Sequence, residues 1–509
     1  MKIKRIAIVG GGTAGWLAAN HLGLELGLDP DIDITLIESE DVPIIGVGEG
    51  TVPLIRESLE KFGIDEVELI ADCDTTFKHG IKFVDWLDPH KHGQGNSYYH
   101  PFSPAFPNGF DVTPFMLANR ERLKFSDVGP GVAPCEAQRC PKKISSPPYK
   151  GELAYAYHVN ALKFAQLLAK NAKEKFAVRH LLATIVGATQ QANGAIAGLV
   201  LKSGETIEFD FFVDCSGFAS VLAGGALEVP FIDKSHQLLT NTALVQQVPT
   251  QESDEIPPFT KATAHGAGWI WDIPVTNRRG TGFVYSNHHM SDQLAADTFA
   301  SYLGISSSAF APRKIPMTIG YRKDFWAKNC VSLGLAQGFV EPLEATSIFL
   351  TDISAALFAA NFPRFTDDID VLKGHCNEVV AYWWERTIDF IQLHYHISDR
   401  TDSQFWLDNA NSTPVSDTLA NRLARWKLSS PKRSDFFSSF DLFDATSYSY
   451  ILYGMKYNTR AVLLSREQAQ ESAEQLGMVK QRSDQLVAEM PGHREWLTKL
   501  NAAMKQMRR

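Results

Sequence analysis

Ile6-Ala-Ile-Val9 runs directly into Gly10-Gly-Gly-Thr-Ala-Gly15, which opens into the helical pattern Trp16-Leu-Ala-Ala-Asn-His-Leu22. Four consecutive apolar residues before a glycine turn are typical of a strand buried on both faces, as in a parallel sheet. Gly10 permits the tight turn, Gly12 lets the backbone approach a pyrophosphate, and Gly15 lets helix and strand pack closely. Free N–H groups at the helix start, from Thr13 and Ala14, then face the phosphates. A second strand, Ile32 to Ile37, ends in Glu38 about 20 residues on, where an acid bonds ribose hydroxyls. The order of strand, glycines, helix, strand and acid predicts a Rossmann-like α/β unit that holds a dinucleotide.

The remaining bulk properties exclude several classes. With 509 residues and 44% hydrophobic content the chain can build two or three cores. A formal net charge of −9 and the lack of a Lys/Arg run interleaved with aromatics give no reason to expect nucleic acid. The apolar start Met1 to Val9 stops at three glycines and reads as a strand, not a signal peptide. Ser347 to Phe362 is the longest apolar stretch, and Thr351, Asp352 and Ser354 interrupt it short of a membrane span, so a soluble, cytoplasmic protein is expected. Six scattered cysteines suit a reducing compartment, and Cys135 with Cys140 lack the second pair a zinc site needs; no metal is expected.

Trp269-Ile-Trp-Asp-Ile-Pro274 places two indoles at i and i+2 of a strand, on one face. Taken alone, large aromatics on one face are core. The stretch, with Ile273 and Pro274, nevertheless resembles the signature of flavin-dependent tryptophan halogenases. Further likeness to that family lies in the glycine loop, in Phe77-Lys78 within Thr76 to Phe83, in Glu341-Pro-Leu-Glu-Ala-Thr-Ser-Ile348 and in Phe390-Ile-Gln-Leu-His-Tyr395, and it spans Gly10 to about Arg400.

That resemblance implies FAD, used as FADH2, rather than NAD as the dinucleotide. Gly46-Val-Gly-Glu-Gly-Thr-Val-Pro53, with Gly48 and Glu49, is similar to the family segment that runs along the flavin. Phe211 to Gly217, with Asp214, is similar to a later FAD-contacting strand, and Leu333 to Gly338, with Gly334 and Gly338, closes the cofactor site. The fold it implies is α/β, α+β overall: a Rossmann-like FAD-binding domain of the flavin monooxygenase type, a substrate-facing sheet and a mostly helical C-terminal part. No second GxGxxG in strand-turn-helix context is present for NAD(P)H, so a separate NAD(P)H-dependent flavin reductase is implied as partner, with a small aromatic substrate. A homodimer is left open.

Enzymes of this kind convert reduced flavin and oxygen to a flavin hydroperoxide, which a halide, chloride or bromide, attacks to give hypohalous acid. A lysine then holds or carries the electrophile. By resemblance it is Lys78; Lys82, four residues on, competes for the role. Without the resemblance a solvated surface charge is the ordinary reading of either. Glu344 would stabilise the cationic arenium intermediate and take its proton, although a carboxylate at the start of the helix read over Ala345 to Phe358 also suits the helix dipole. Backbone N–H groups of Thr346 and Ser347 would bind halide, and Ala345 stands where many relatives have Ser. His100 and Phe102 occupy positions where the family sandwiches an indole; core packing explains them equally well. The two tryptophans would keep substrate from touching the flavin, favouring halogenation over hydroxylation.

Tryptophan-specific members grip the amino acid's charged groups with a C-terminal segment rich in Tyr, Glu, Phe and Trp. Here the corresponding stretch, Phe436 to Tyr450, lacks the Glu-rich run and the Phe-Trp pair, which points to a simpler or larger indole-like aromatic, with free indole a better substrate than tryptophan. The expected organisation is a core over 1–365, in which 1–102, 150–230 and 310–365 bind the nucleotide, 103–149 is a long loop or lid and 231–309 a substrate-side sheet. Residues 366–509 form the mostly helical region, with helical patterns at Val371 to Tyr395 and Ser465 to Met507. The rivals are a flavin-dependent aromatic hydroxylase, which needs neither Lys78 nor the two tryptophans, and a non-catalytic flavin-binding redox protein, which predicts no turnover.

Overall fold

The structure is a computed structural model in which all residues are described except 28, 42–47, 107–108, 307–309 and 508–509. Gly46 and Val47 of the flavin-side segment fall outside the described residues. The apolar run Arg5–Val9 is the heart of a six-stranded sheet, flanked in parallel by Asp33–Glu38 and Phe211–Asp214, with Arg179–Leu182 and Cys330–Ser332 parallel beyond them and Trp326–Ala327 antiparallel at the edge. Its central strands are buried on both faces, which is why they read as unbroken apolar runs. Helices Thr13–Leu26, Ala161–Phe176 and Thr346–Ala360 contribute to the same core. In register Val9 lies beside both Ile37 and Asp214, so the glycine loop, Glu38 and the turn after Asp214 gather at one edge of the sheet, the place where open α/β sheets bind ligands.

A second, seven-stranded sheet runs in the order Arg313–Pro316, Thr242–Pro249, Arg278–Tyr285, Gly268–Pro274, Thr260–His265, Gly80–Val84, Ser97–Pro101. Its last two strands belong to the 1–102 segment and Arg313–Pro316 to the 310–365 segment, both expected in the nucleotide unit; they extend the substrate-side sheet instead. A small sheet of Gly48–Gly50, Ala156–Asn160 and Thr76–Lys78 sits between the two. Segment 231–309 is not all sheet, since Asp292–Leu303 is a helix capped by the Ser291 side chain.

The stretch 103–149 is not a bare loop. It folds the short helices Thr113–Ala118 and Val132–Glu136, and Val112, Met116, Phe125 and Val128 bury against Tyr450 of the C-terminal region. Val112 and Met116 at i, i+4 share one helix face. The apolar run after Ser347 becomes the helix Thr346–Ala360, and its polar interruption is answered internally: buried Asp352 is bonded to His21 Nε2 at 2.7 Å and accepts from Ser58 Oγ at 2.7 Å. C-terminally, the 28-residue helix Ile369–His396 delivers its last two turns to the site. The helical run from 465 to 507 is two helices, Arg466–Glu489 and His493–Met507, broken at Pro491. Among the described residues no helix is long and apolar enough to cross a membrane.

Candidate functional site

The glycine loop is built as a cradle. Gly10 has φ +119°, and a Cβ there would stand 2.1 Å from the Cys215 carbonyl oxygen; a Cβ on Gly15 would stand 1.9 Å from the Gly10 oxygen. Above Gly12, by contrast, no atom of the other described residues comes within 4 Å of a Cβ position, which leaves room beside the helix start at Thr13 and Ala14 for a phosphate group. Glu38 flanks Gly11 and bonds His180 Nε2 at 2.9 Å. Gly334 lies against the same helix, where a Cβ would stand 2.7 Å from Ala14 Cβ, and Gly338 is in the strand Gly338–Phe339. Both line a cavity with Leu333, Gln337, Phe339 and Ser347. These groups fit a dinucleotide. Asp214 is engaged within the protein: Oδ1 accepts from Ser216 N and Oγ, and Oδ2 from Leu222 N and Ala223 N, fixing the turn at the strand end.

Gly48–Gly50 pairs with Ala156–Asn160. Burial pushes the Glu49 carboxyl in this strand up to about 7.

Lys78 ends the strand Thr76–Lys78 and is fully buried. Burial pulls its amine down to about 7, against the opposing pull of the Glu344 carboxylate. Its Nζ donates to the Thr51 carbonyl at 3.2 Å and lies 5.2 Å from the Phe102 ring centre. Lys82 is a different case: part-exposed, it bonds Glu136 at 2.7 Å on the far side of the sheet edge from this cluster. A buried lysine whose one direct hydrogen-bond partner among the described residues is a carbonyl is costly to hold, and such perturbed groups gather at functional sites.

Glu344 lies just before the helix Thr346–Ala360, from which it is separated by Ala345, where the chain turns with φ +55°. His100 Nδ1 is 2.9 Å from Oε2 and His394 Nε2 is 3.0 Å from Oε1. Burial pushes the carboxyl up, but the charge and hydrogen bond of His100, then those of His394, outweigh it and hold it at about 2. His394 Nδ1 also sits 2.8 Å from the Phe390 carbonyl and must carry a proton there. Lys78, Glu344, His100 and Phe102 are thus brought together, with His394 and Phe390 as members that the sequence reading gave no role, although it quoted the stretch containing them. The Thr346 hydroxyl is buried without a hydrogen-bond partner among the described residues, and Ser347 faces the cofactor-side cavity. The first N–H groups of their helix have no partner within it, so this end can accept an anion.

Trp269 and Trp271 do share one face, their rings 6.2 Å apart on the buried strand Gly268–Pro274, near Gly48–Gly50. Trp269 Nε1 donates to buried Glu341 at 3.1 Å. Trp271 fits because its neighbour is Gly282, where a Cβ would meet the indole at 2.1 Å. Ile273 is buried, and the Pro274 carbonyl accepts from Thr76 Oγ1 at 2.6 Å, tying the tryptophan strand to the lysine strand.

Comparison with known proteins agrees with this geometry. Residues 5–470 match the family model described as tryptophan halogenase. The chain is 34% identical to tryptophan 6-halogenase SttH of Streptomyces toxytricini over 88% of this chain and 89% of that one. The solved tryptophan halogenase of Shewanella frigidimarina superposes with a TM-score of 0.94 at 36% identity, covering 98% of both chains. BrvH, a flavin-dependent halogenase from Brevundimonas, superposes with a TM-score of 0.86 at 32% identity over 98% of this chain and 99% of that one. A Rossmann-like cradle, a buried lysine beside a histidine-clamped glutamate and a match over nearly the whole length have one common meaning: the chain belongs to the tryptophan halogenase family of flavin-dependent enzymes.

Proposed function

We propose that this enzyme halogenates an electron-rich, uncharged aromatic of the indole class with chloride or bromide, using Lys78 and Glu344. The observation that carries the reading is the meeting of a fully buried Lys78, its amine pulled down to about 7, with the buried Glu344 carboxylate whose charge acts on it. FAD would be held by Gly10, Gly12, Thr13, Ala14, Gly15 and Glu38, with Gly48, Glu49, Gly334 and Gly338 along its length. When bound in reduced form, it supplies with oxygen the oxidising power that turns halide into hypohalous acid. Thr346 and Ser347 would bind the halide by their N–H groups, and the orphaned Thr346 hydroxyl is a third donor.

Lys78 then takes the electrophile in one of two ways. As an ammonium it hydrogen-bonds hypohalous acid; as a neutral amine its lone pair attacks the halogen, the N–X bond forms as X–O breaks, and the amine proton leaves with hydroxide as water. An aromatic carbon next attacks the halogen, creating a ring cation. Glu344 offsets that charge and accepts the ring proton. A carboxylate held near 2 is a weak base, but a ring cation is a strong acid, so the electrostatic part of the role dominates. His100 and Phe102 bound the chamber, and the tryptophan strand separates it from the flavin.

The C-terminal segment supports the choice of an uncharged substrate. Phe443 stacks on Phe390 at 3.9 Å between ring centres, Tyr448 meets Phe390 edge-on and Tyr450 lies 6.3 Å from His100. Both acids of the segment are committed: Asp441 pairs with Arg422 at 3.1 Å and Asp444 caps a helix through Ser447 N. Asp444 is thereby occupied and Asp441 already faces one cation, while its Oδ2 is buried without a hydrogen-bond partner among the described residues. The enzyme works in the cytoplasm with a separate flavin reductase. Incubating an aromatic panel with a flavin reductase, NADH, FAD and each halide, read by mass spectrometry, tests the proposal; formation of hydroxylated in place of halogenated product would favour a hydroxylase.

A further inference from the structure

The lysine strand Thr76–Lys78 is the outer strand of its small sheet, paired on one side with Ala156–Asn160. On its free edge the Phe77 N–H, one residue before Lys78, donates to His493 Nε2 at 3.0 Å, from 416 residues away. The same ring has Nδ1 2.8 Å from the Ile256 carbonyl. A carbonyl only accepts and a backbone N–H only donates, so the imidazole is neutral with its proton on Nδ1. The ring is fully buried, and burial, against the opposing pull of the Ile256 carbonyl, holds it down at about 4, which keeps it neutral at working pH. It thus spans a gap between an N–H and a C=O that in a regular ladder would meet directly. A few residues on, the gap closes: His79 N donates to the Pro258 carbonyl at 2.7 Å, and Ile81 to Val84 pair directly with Thr260 to Thr263. His493 itself is anchored at the start of the last helix, His493–Met507, where its N donates to the Gln138 carbonyl at 2.9 Å and Gly492 bridges to Arg139. Trp496 of that helix meets the Phe77 ring edge-on, ring centres 5.0 Å apart.

We propose that His493 is a positioning residue for Lys78: through this ring the last helix sets where the lysine strand lies, and with it the place of the amine. Successive side chains of a strand face opposite ways, so Phe77 turns to the helix while Lys78 turns from it, its Nζ 5.2 Å from the Phe102 ring centre. His493 acts on the main chain one peptide from the lysine Cα, and not on the amine. The lysine stem carries a shift of its backbone to Nζ, which among the described residues has the Thr51 carbonyl as its one direct hydrogen-bond partner. The position of the strand therefore decides where the electrophile is presented. A helix outside both the nucleotide-binding sheet and the substrate-side sheet thereby completes the site. The proposal rests on the delivery role of Lys78.

The test compares His493→Phe, His493→Asn, His493→Gln, Leu497→Ala and Lys78→Ala in the full chain with flavin reductase, NADH, FAD, bromide and indole. Halogenated product and hydrogen peroxide are measured per NADH consumed, together with the KM for indole, FAD affinity by fluorescence and melting temperature. His493→Phe keeps a ring and removes both hydrogen bonds; His493→Ala repeats the measurement should phenylalanine fail to fold. The halogenated fraction should fall by about 10- to 100-fold, the size of effect that misplacing a reacting group produces. Peroxide should rise in compensation, with KM and FAD affinity within about twofold of wild type. A side-chain amide can accept from Phe77 and donate to Ile256, so His493→Asn or His493→Gln should recover most of the product. Leu497→Ala, which empties a buried position of the same helix, should lower the melting temperature and leave the halogenated fraction within about twofold of wild type. Three results overturn the inference: a fraction within about twofold of wild type in the folded His493→Phe or His493→Ala variant, recovery in neither amide variant, or a loss in Leu497→Ala as large as that in His493→Phe. If Lys78→Ala is inactive while His493→Phe is normal, only the positioning role falls; if Lys78→Ala halogenates normally, the parent reading falls whatever His493 does.

Discussion

The Trp269 indole is hydrogen-bonded to Glu341, Nε1 to Oε1 at 3.1 Å, and neither residue reaches solvent. Glu341 also accepts from the Tyr395 hydroxyl at 2.5 Å and from Thr240. One carboxylate thus joins the tryptophan strand, the long helix Ile369–His396 and the loop that carries Glu344. Burial pushes the Glu341 carboxyl up, and its three donors only partly offset that.

Trp269→Phe keeps the aromatic bulk and removes one donor. It should cost about 1–3 kcal/mol, the penalty for an under-satisfied buried group, read as a lower melting temperature. An unchanged melting curve would show that the bond adds nothing to the wall.

Lys78 is held at a cost to stability. Its folded value of about 7 lies below the ordinary 10.5, so between those pH values the unfolded chain binds a proton that the folded chain lacks, and stability rises with pH across the window. Below about 7 the folded protein carries a buried ammonium. Lys78→Met should therefore be more stable than wild type by roughly 1–3 kcal/mol at pH 6 while losing halogenation. Chemical denaturation at pH 6 and pH 9 checks both the gain and its shrinkage at the higher pH.

Glu344 has the opposite sign. Held at about 2 against an ordinary 4.5, it contributes stability that is complete above 4.5 and lost as pH falls from there toward 2. Glu344→Gln should flatten that acid limb and lower turnover by about 100-fold or more, with FAD affinity unchanged. A variant that titrates like wild type through this range would show that the histidine clamp does not hold the carboxylate.

Free indole should be turned over faster than tryptophan under identical conditions, because Asp441 already faces the Arg422 guanidinium and Asp444 caps a helix, so an ammonium would have to compete with a partner in place at either acid. Competition of the two substrates, resolved by mass spectrometry, decides it; faster tryptophan turnover would contradict the reading of this segment.

What could be read from the sequence was what is locally determined. The glycine loop is a contract among neighbours within a few residues, and Gly10 and Gly15 have no substitute there. The two-residue spacing of Trp269 and Trp271 likewise fixes a shared face in any strand. The choice between Lys78 and Lys82 came from resemblance, because burial depends on which strands pair: Lys82 lies opposite Tyr99 near the sheet edge, while Lys78 lies opposite Ala156 in the interior. His394 and His493 reach their partners across separations of 50 and 416 residues, and no spacing rule links positions so far apart. That the strands Gly80–Val84 and Ser97–Pro101, within the 1–102 segment, join the seven-stranded sheet is hidden for the same reason, since a half-buried strand pattern does not name its partner.

The central claim is that Lys78 carries the electrophile. Its most direct measurement is halogenated product and hydrogen peroxide per NADH consumed by Lys78→Ala, with flavin reductase, FAD, bromide and indole. The expected result is loss of halogenated product with oxygen consumption retained and peroxide released in its place. Halogenation at the wild-type rate by this variant would contradict the account.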